Sequence, residues 1–310
     1  MNEFKLIEKY LTPLTNKVGR GLKDDAAVFK SENNIDYVIS TDTLVEKIHF
    51  FGKESPEIIA KKSLRTNISD LSAMGAEPLY YNLSLSVPKN KINTFIIPFA
   101  KGLKSDQETF NLKLIGGDLT SALDVITITI TIFGKVPSGN AIPRSGAKNN
   151  DLLFVTGDLG LSNIGLRYFN SKDKKFNLAK DKYLIPEPRI VFSYKIRNYV
   201  NSMIDISDGL IQDAFHISKS SNLEIHLDIS NIPTPLIKGL PKKEILNSAL
   251  YGGDDYELLF SANKNNKEKI FKVAKKLNIK ISEIGVLKKG IPGKIYYNKK
   301  EILPRGFQHF

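Results

Sequence analysis

Six short segments of this 310-residue chain carry aspartates inside otherwise apolar patterns: KDDAAVF, ISTDTLVE, NISDLSAMGA, LIGGDLTS, MIDISDGL and YGGDDYELLF. In MIDISDGL the alternation of a strand puts Asp205 and Ser207 on one face, and Asp208 falls where a helix begins, with Gly209 behind it. Alone, Asp208 reads as a helix N-cap, a role worth about 1 kcal/mol. Asp205, set between Ile204 and Ile206, has no such explanation. Helical spacing in SLRTNISDLSAMGA puts Asn67 and Asp70 on the face of Ala73 and Met74, the apolar side. STDT and LIGGD each read as the end of a strand.

Taken singly, Gly-Gly-Asp and Asp-Asp are ordinary turn chemistry. Taken together, the set is costly, because carboxylates about 4 Å apart repel by about 4 kcal/mol at an effective dielectric of about 20. Something positive must sit among them. Short carboxylates with Ser and Thr hydroxyls, no cysteine and four histidines suit a hard cation that takes oxygen ligands, and magnesium usually arrives with phosphates. There is no EF-hand calcium loop, no Gly-x-x-x-x-Gly-Lys-[Ser/Thr] phosphate loop and no kinase catalytic-loop pattern. VTGDLGLSNIGL supplies a Gly-rich turn before a helix, a candidate anion site of low specificity.

The elements that would position these residues alternate along the chain. Residues 3–11 read as a helix; 37–40, 79–87, 113–115 and 125–136 read as strands rich in Ile, Leu, Val and Thr. SPEIIAKKSLRTNISDLSAM and KINTFIIPFAKGLKSD lie between them with helical periodicity, the first opened by Ser-Pro. VPSGNAIPRSGAKNNDLL gathers Pro, Gly, Ser and Asn, and a domain boundary is placed inside it, dividing 1–137 from 138–310. Beyond it, the strands DLLFVTG, SMIDIS, EIHLDI, YELLFSA and SEIGVL are interleaved with helices from about Ser162, in GLIQDAFHISKSS and in the lysine-rich KEKIFKVAKKLNIK. Two α/β units of similar size are expected.

Composition narrows the classes. With 41% hydrophobic and 25% charged residues, the chain can bury a real core. It has no run of about 18 apolar residues and no signal-peptide pattern at MNEFKLIEKYL, so a non-membrane, cytoplasmic protein is expected. The absence of cysteine excludes disulfides, thiolate metal sites and cysteine nucleophiles. The net charge of +12 comes mostly from lysines scattered over helical faces, with no basic run interleaved with aromatics, so nucleic acid is not an expected partner.

The ordered set DDAAV, STDTLVEKIHF, NISDLSAMGAEP, LIGGDLT, RSGAK, DISDGL, GGDDYEL and the terminal GFQHF resembles the thiamine-monophosphate kinases, in the superfamily typified by aminoimidazole ribonucleotide synthetase. The match runs through nearly the whole chain. The resemblance implies a two-domain PurM-like α/β (α+β) fold. Its amino-terminal domain would form a dimeric β-barrel-type interface with a twin, and a carboxyl-terminal α/β domain would follow. ATP and several Mg2+ ions would lie in the cleft between the domains. By motif, Asp25, Ser40, Thr41, Asp42, Asp70, Asp118, Asp205 and Asp208 resemble the family's metal-binding positions. Gly117, Asp118, Arg144 and Ser207 fall where the family contacts ATP, and His49, Asp254 and Phe307 where it contacts thiamine monophosphate. Departures from the family pattern are Lys23 before the first acidic pair, Leu119 in GGDLT, and Asp254 at a site that is often glutamate.

The implied reaction is ATP plus thiamine monophosphate giving ADP plus thiamine diphosphate, by direct in-line attack of the substrate's phosphate oxygen. A phosphate monoester is already largely deprotonated at neutral pH, so no strong general base is needed, and of the four histidines His49 alone is matched to a site position. The obstacle is the approach of two anions, which bridging metals relieve; Asp42 and Asp205 are expected to matter most. Three alternatives stand beside this: another ATP-dependent member of the superfamily that activates a different acceptor, a nucleotide sensor without turnover, and a nucleic-acid binder.

Overall fold

A computed structural model describes residues 3–31 and 33–307; the last three residues of the GFQHF motif lie outside the described residues. After a short opening helix α1 (Glu3–Leu6) that continues as a wider turn to Leu11, the first sheet is built from β1 (Ala27–Lys30), β2 (Ile35–Val45), β3 (Glu77–Pro88), β4 (Lys113–Ala122) and β5 (Thr127–Pro137). Its order is β1-β2-β5-β3-β4, antiparallel except where β3 and β4 run parallel around a helical crossover. Helices α2 (Pro56–Ala73) and α3 (Ile92–Phe110) cover one face. β5 shows why. In TITITIFGKV, the side chains Ile128, Ile130, Ile132 and Val136 are buried, while the threonines between them face the opposite side of the sheet. Ser55 and Pro56 start α2 as their types predict, with Ser55 Oγ accepting the Ile58 N–H at 3.3 Å.

The second sheet comprises β6 (Leu152–Thr156), β7 (Ser202–Asp205), β8 (Glu224–Leu227), β9 (Leu258–Ala262), β10 (Ile281–Lys288), β11 (Ile295–Tyr297) and β12 (Lys300–Ile302), in the order β12-β11-β8-β10-β6-β9-β7. Around it lie α4 (Leu161–Arg167), α5 (Asn177–Leu184), α6 (Ile190–Ile196), α7 (Leu210–Ser221), α8 (Lys242–Tyr251) and α9 (Lys267–Lys276). Strand β9 is covered on both faces and buried from end to end: Leu258, Leu259, Phe260, Ser261 and Ala262 all have no exposure.

Two strands are longer than their sequence suggests. β2 runs on through STDT to Val45, because every residue of 35–45 finds a ladder partner on β5. β4 continues through GGD to Ala122, paired with β3. Asp42 and Asp118 therefore sit in mid-strand and not at strand ends. Gly117, at φ +149°, is required there: a Cβ would lie 1.8 Å from the Leu83 carbonyl oxygen.

One face of α2 is the joint between the two sheets. Along it, Lys62 Nζ donates to Asp254 at 3.0 Å, Arg65 to the Pro186 carbonyl at 3.1 Å and Ser69 Oγ to Asp205 at 2.6 Å. The Ser72 carbonyl accepts from Ser193 Oγ, and the Gly75 carbonyl just beyond the helix accepts from Arg197 at 2.8 Å.

Candidate active site

Asp25 precedes β1, Asp70 is in the last turn of α2 and Asp205 ends β7; the joint brings them together, each offering a carboxylate oxygen within 4.8 Å of the others. Ser40 Oγ donates to Asp70 at 2.5 Å and to the Asp25 carbonyl at 3.1 Å, and Ser69 Oγ supports Asp205. Asp42, two residues from Ser40 on the same strand, shares its face and points at the same place, its backbone N–H held by Asn67 at 3.1 Å. The side chain of Thr41 takes the other face, where it hydrogen-bonds Thr131 at 3.0 Å.

Among the described residues, one cation pairs with this group. Arg144, on a short turn after β5, forms an ion pair with Asp25 and hydrogen-bonds Asp24 through its backbone N–H at 2.8 Å. That is too little positive charge for so many buried carboxylates. Burial, reinforced by the charge of Asp25, pushes Asp205 up to about 8 and Asp42 up to about 6. Burial and then the charges of Asp42, Asp205 and Asp25 drive Asp70 well above the carboxylate range. Burial raises Asp25 too, against the opposing pull of Arg144. Three converging carboxylates, a serine hydroxyl and a net deficit of cations make a donor set that fits a hard divalent ion such as Mg2+.

Asp42, Asp70 and Asp205 of this group line a cavity of about 570 Å³ between the two sheets. Ser207 and Asp208, in the turn after β7, line it, as do His49, Asp254 and Phe307. His49 Nδ1 accepts the Val45 N–H at 3.0 Å, and the Phe307 N–H donates to the Asp208 carbonyl at 3.2 Å. Asp208 is pushed up to about 6, by burial first and then the charge of Glu3. It is not the helix cap its position suggests: α7 begins at Leu210 after Gly209 at φ +120°, and the Asp208 side chain makes no cap bond. The capping carboxylate comes from inside the helix. Asp213 accepts the N–H groups of Gly209 at 3.1 Å and Asp208 at 3.3 Å, leaving Asp208 to face the cavity.

The Gly-rich turn VTGDLGLSNIGL is likewise already occupied. Asp255 accepts the N–H groups of Gly160 at 2.6 Å and Ser162 at 3.2 Å, so these amides are not open to an external anion. Gly117 and Asp118 stand apart from the cavity lining. Asp118 is exposed on β4 in register with Ser84, Thr129 and Thr43, three strand spacings or about 14 Å from β2. Lys23 is exposed before the Asp24–Asp25 pair, and Leu119 is exposed beside Asp118.

Sequence reasoning missed Lys62, Tyr183, Tyr256 and Asp213. Lys62 is buried, 3.0 Å from Asp254 and with its ammonium 3.6 Å from the centre of the Tyr183 ring. Its position on the same face of α2 as Ser69, two turns earlier, was the available signal.

Comparison with known proteins bears on all of this. The model of the AIR synthase related protein, N-terminal domain, matches residues 23–136, and that of the AIR synthase related protein, C-terminal domain, matches residues 148–298. The chain is 38% identical to the thiamine-monophosphate kinase of Buchnera aphidicola subsp. Schizaphis graminum, over 100% of this chain and 99% of that protein. It is 34% identical to that of Escherichia coli K12, over 99% and 98%. Its fold superposes with a TM-score of 0.89 on a solved structure described as AaThiL complexed with AMPPCP and TMP, at 28% identity, covering 100% of this chain and 97% of that one.

Proposed function

The chain belongs to the thiamine-monophosphate kinase family, with the two-domain PurM-like α/β fold of AIR synthase related proteins, and from that membership we propose that it transfers the terminal phosphoryl group of ATP to thiamine monophosphate. The products are ADP and thiamine diphosphate. The observation that carries this reading is the convergence of Asp25, Asp70 and Asp205, the last two lining a cavity that His49, Asp254 and Phe307 line as well. A site for two anionic reactants needs concentrated positive charge between them and little acid–base machinery, and the cluster is built to recruit that charge from solution.

Asp25, Ser40, Asp42, Asp70, Asp205 and Asp208 would hold Mg2+, with Thr41 through its backbone; Asp118, apart from the cavity of its own subunit, would reach an ion only across a dimer interface. When bound, the ions neutralise the phosphate oxygens and hold the donor and acceptor in line. The protein's own groups do the rest. Ser69 and Ser40 fix the direction of Asp205 and Asp70 by donating to them, and Asn67 fixes the backbone of Asp42. Asp213 holds the 207–209 turn so that Ser207 and Asp208 face the nucleotide phosphates. Arg144 holds the Asp25 carboxyl in place, opposing the rise that burial imposes on its pKa, and contributes its charge to the nucleotide phosphates. Phe307 presents an aromatic face to the cationic heterocycle, a contact worth about 0.5 to 2 kcal/mol.

In this reading residues 1–137 form the nucleotide- and metal-binding unit and 138–310 the second domain. The distance of Gly117 and Asp118 from the cavity, and the exposure of Leu114, Ile115 and Leu119 along β4, support a homodimer in which that sheet closes against its twin in a barrel-type interface. No described helix is long and apolar enough to cross a membrane, in keeping with a cytoplasmic enzyme.

The test is a coupled ADP assay with thiamine monophosphate against free thiamine and aminoimidazole precursors. Steady ADP release with the first alone is expected. Release with another acceptor, or none with any, would overturn the assignment.

A further inference from the structure

We propose that Lys62 is a positioning residue for the acceptor end of the cavity: with Tyr256 it clamps the Asp254 carboxylate, and through the Tyr183 ring it ties that carboxylate to the His49 loop. The inference rests on the reaction assigned above, since it gives Asp254 a substrate to meet.

The geometry is a continuous chain of contacts. The Tyr183 hydroxyl donates to the His49 carbonyl at 3.2 Å; the Lys62 ammonium lies 3.6 Å from the Tyr183 ring centroid and 3.0 Å from Asp254 Oδ2. On the other side, the Tyr256 hydroxyl donates to Asp254 Oδ1 at 3.1 Å. The backbone of Asp254 is pinned as well. It stands in the left-handed region at φ +67°, with its N–H donating to the Ser207 carbonyl at 2.9 Å. Position and direction of this carboxylate are thus both set by neighbours.

Exposure separates this arrangement from an ordinary buried ion pair. The Lys62 side chain is 4% exposed and the Asp254 side chain 33%, and Asp254 lines the cavity while Lys62 does not. An ammonium taken out of water needs a partner and an aromatic face suits it. Here the cation sits in the wall and the anion looks into the cavity. A carboxylate so held accepts N–H groups and attracts positive charge, both of which an aminopyrimidine–thiazolium acceptor carries, and it repels phosphates. Loosening the clamp should therefore weaken the acceptor's binding and leave the nucleotide's unchanged.

The experiment is steady-state kinetics of the full-length protein with Mg2+, comparing K62M, K62R, Y256F, D254N and K62M/D254N. In K62M the KM for thiamine monophosphate is expected to rise about tenfold or more, with kcat and the KM for ATP within about threefold of wild type. K62R recovers part of the loss, Y256F shifts the same constant by less, and the double variant is no worse than D254N because both changes remove one arrangement. An equal rise in both KM values, a fall in kcat at unchanged KM for thiamine monophosphate, or additive losses in the double variant would overturn the clamp. If K62M does not fold, the ratio of the two KM changes in Y256F decides on the same criterion. Failure of the reaction assignment appears elsewhere, as absence of turnover in the wild type. In that event calorimetric binding of thiamine monophosphate to wild type and Y256F still reads the clamp, and equal affinities, or no binding to either, would overturn it.

Discussion

In one part of the site Asp25, Asp70 and Asp205 converge and, among the described residues, one guanidinium, that of Arg144, pairs with Asp25, whereas in another part Asp254 is held by the ammonium of Lys62. Both parts are acidic, and both are partly walled off from water. At the first the protein leaves charge unmatched, and the carboxyl groups answer by holding protons: Asp205 reaches about 8. At the second, charge is matched and the carboxylate is fixed. Unmatched acid marks the place of an ion taken up from solution, and matched acid marks a group that must point in one direction.

The comparison can be broken most directly by removing the ion. Chelation should abolish ADP release, and Mg2+ should restore it; activity surviving exhaustive chelation would mean that the cluster's charge is balanced in some other way. Next, Asp205→Asn and Asp42→Asn should each lower kcat by at least about a hundredfold in a protein with unchanged circular dichroism, since each removes a ligand charge and no packing volume. Near-normal turnover at saturating Mg2+ would remove these residues from the metal end. At the matched end the effect is smaller: His49→Ala should raise the KM for thiamine monophosphate several-fold, about 1 kcal/mol of binding, with kcat little changed. An unaltered KM would take His49 out of the acceptor site.

The smallest expected effect sharpens the contrast by pH. Asp42, Asp208 and Asp205 have folded-state values of about 6, about 6 and about 8, all above the ordinary 3.8, so the folded metal-free protein binds protons that the unfolded chain has lost. Stability is then highest below the unfolded value and is lost as pH rises through the folded ones. The metal-free Tm should fall by several degrees between about pH 5 and about pH 8, and Mg2+ should raise it more at the higher pH. A metal-free Tm that rises over this interval would contradict the charge deficit.

Much of this was legible in the sequence, and the misses have physical causes. Ser55-Pro56 announced α2, and the Ile–Thr alternation announced β5 and its buried face. The acidic segments announced a cation site because their charge is local information. What sequence could not convey is which partner meets each group. Asp208 followed by glycine looks like a cap, but Asp213, one helical turn on, reaches back and takes the amides. A Gly-rich turn looks open until Asp255, almost a hundred residues away, fills it. Lys62 reads as one more surface lysine among many, and only the fold brings it to Asp254, 192 positions later. STDT and GGD resemble strand ends because the pairing that carries them onward lies on β5 and β3.

The ties along α2 recur at Lys62, Arg65, Ser69, Ser72 and Gly75, three or four residues apart, like rivets along a seam. Prising the sheets apart about that line would strain all of them together, so opening the cavity there costs several contacts at once. The half-exposed ring of Phe307, whose backbone N–H donates to the Asp208 carbonyl, lines the cavity outside this row of ties.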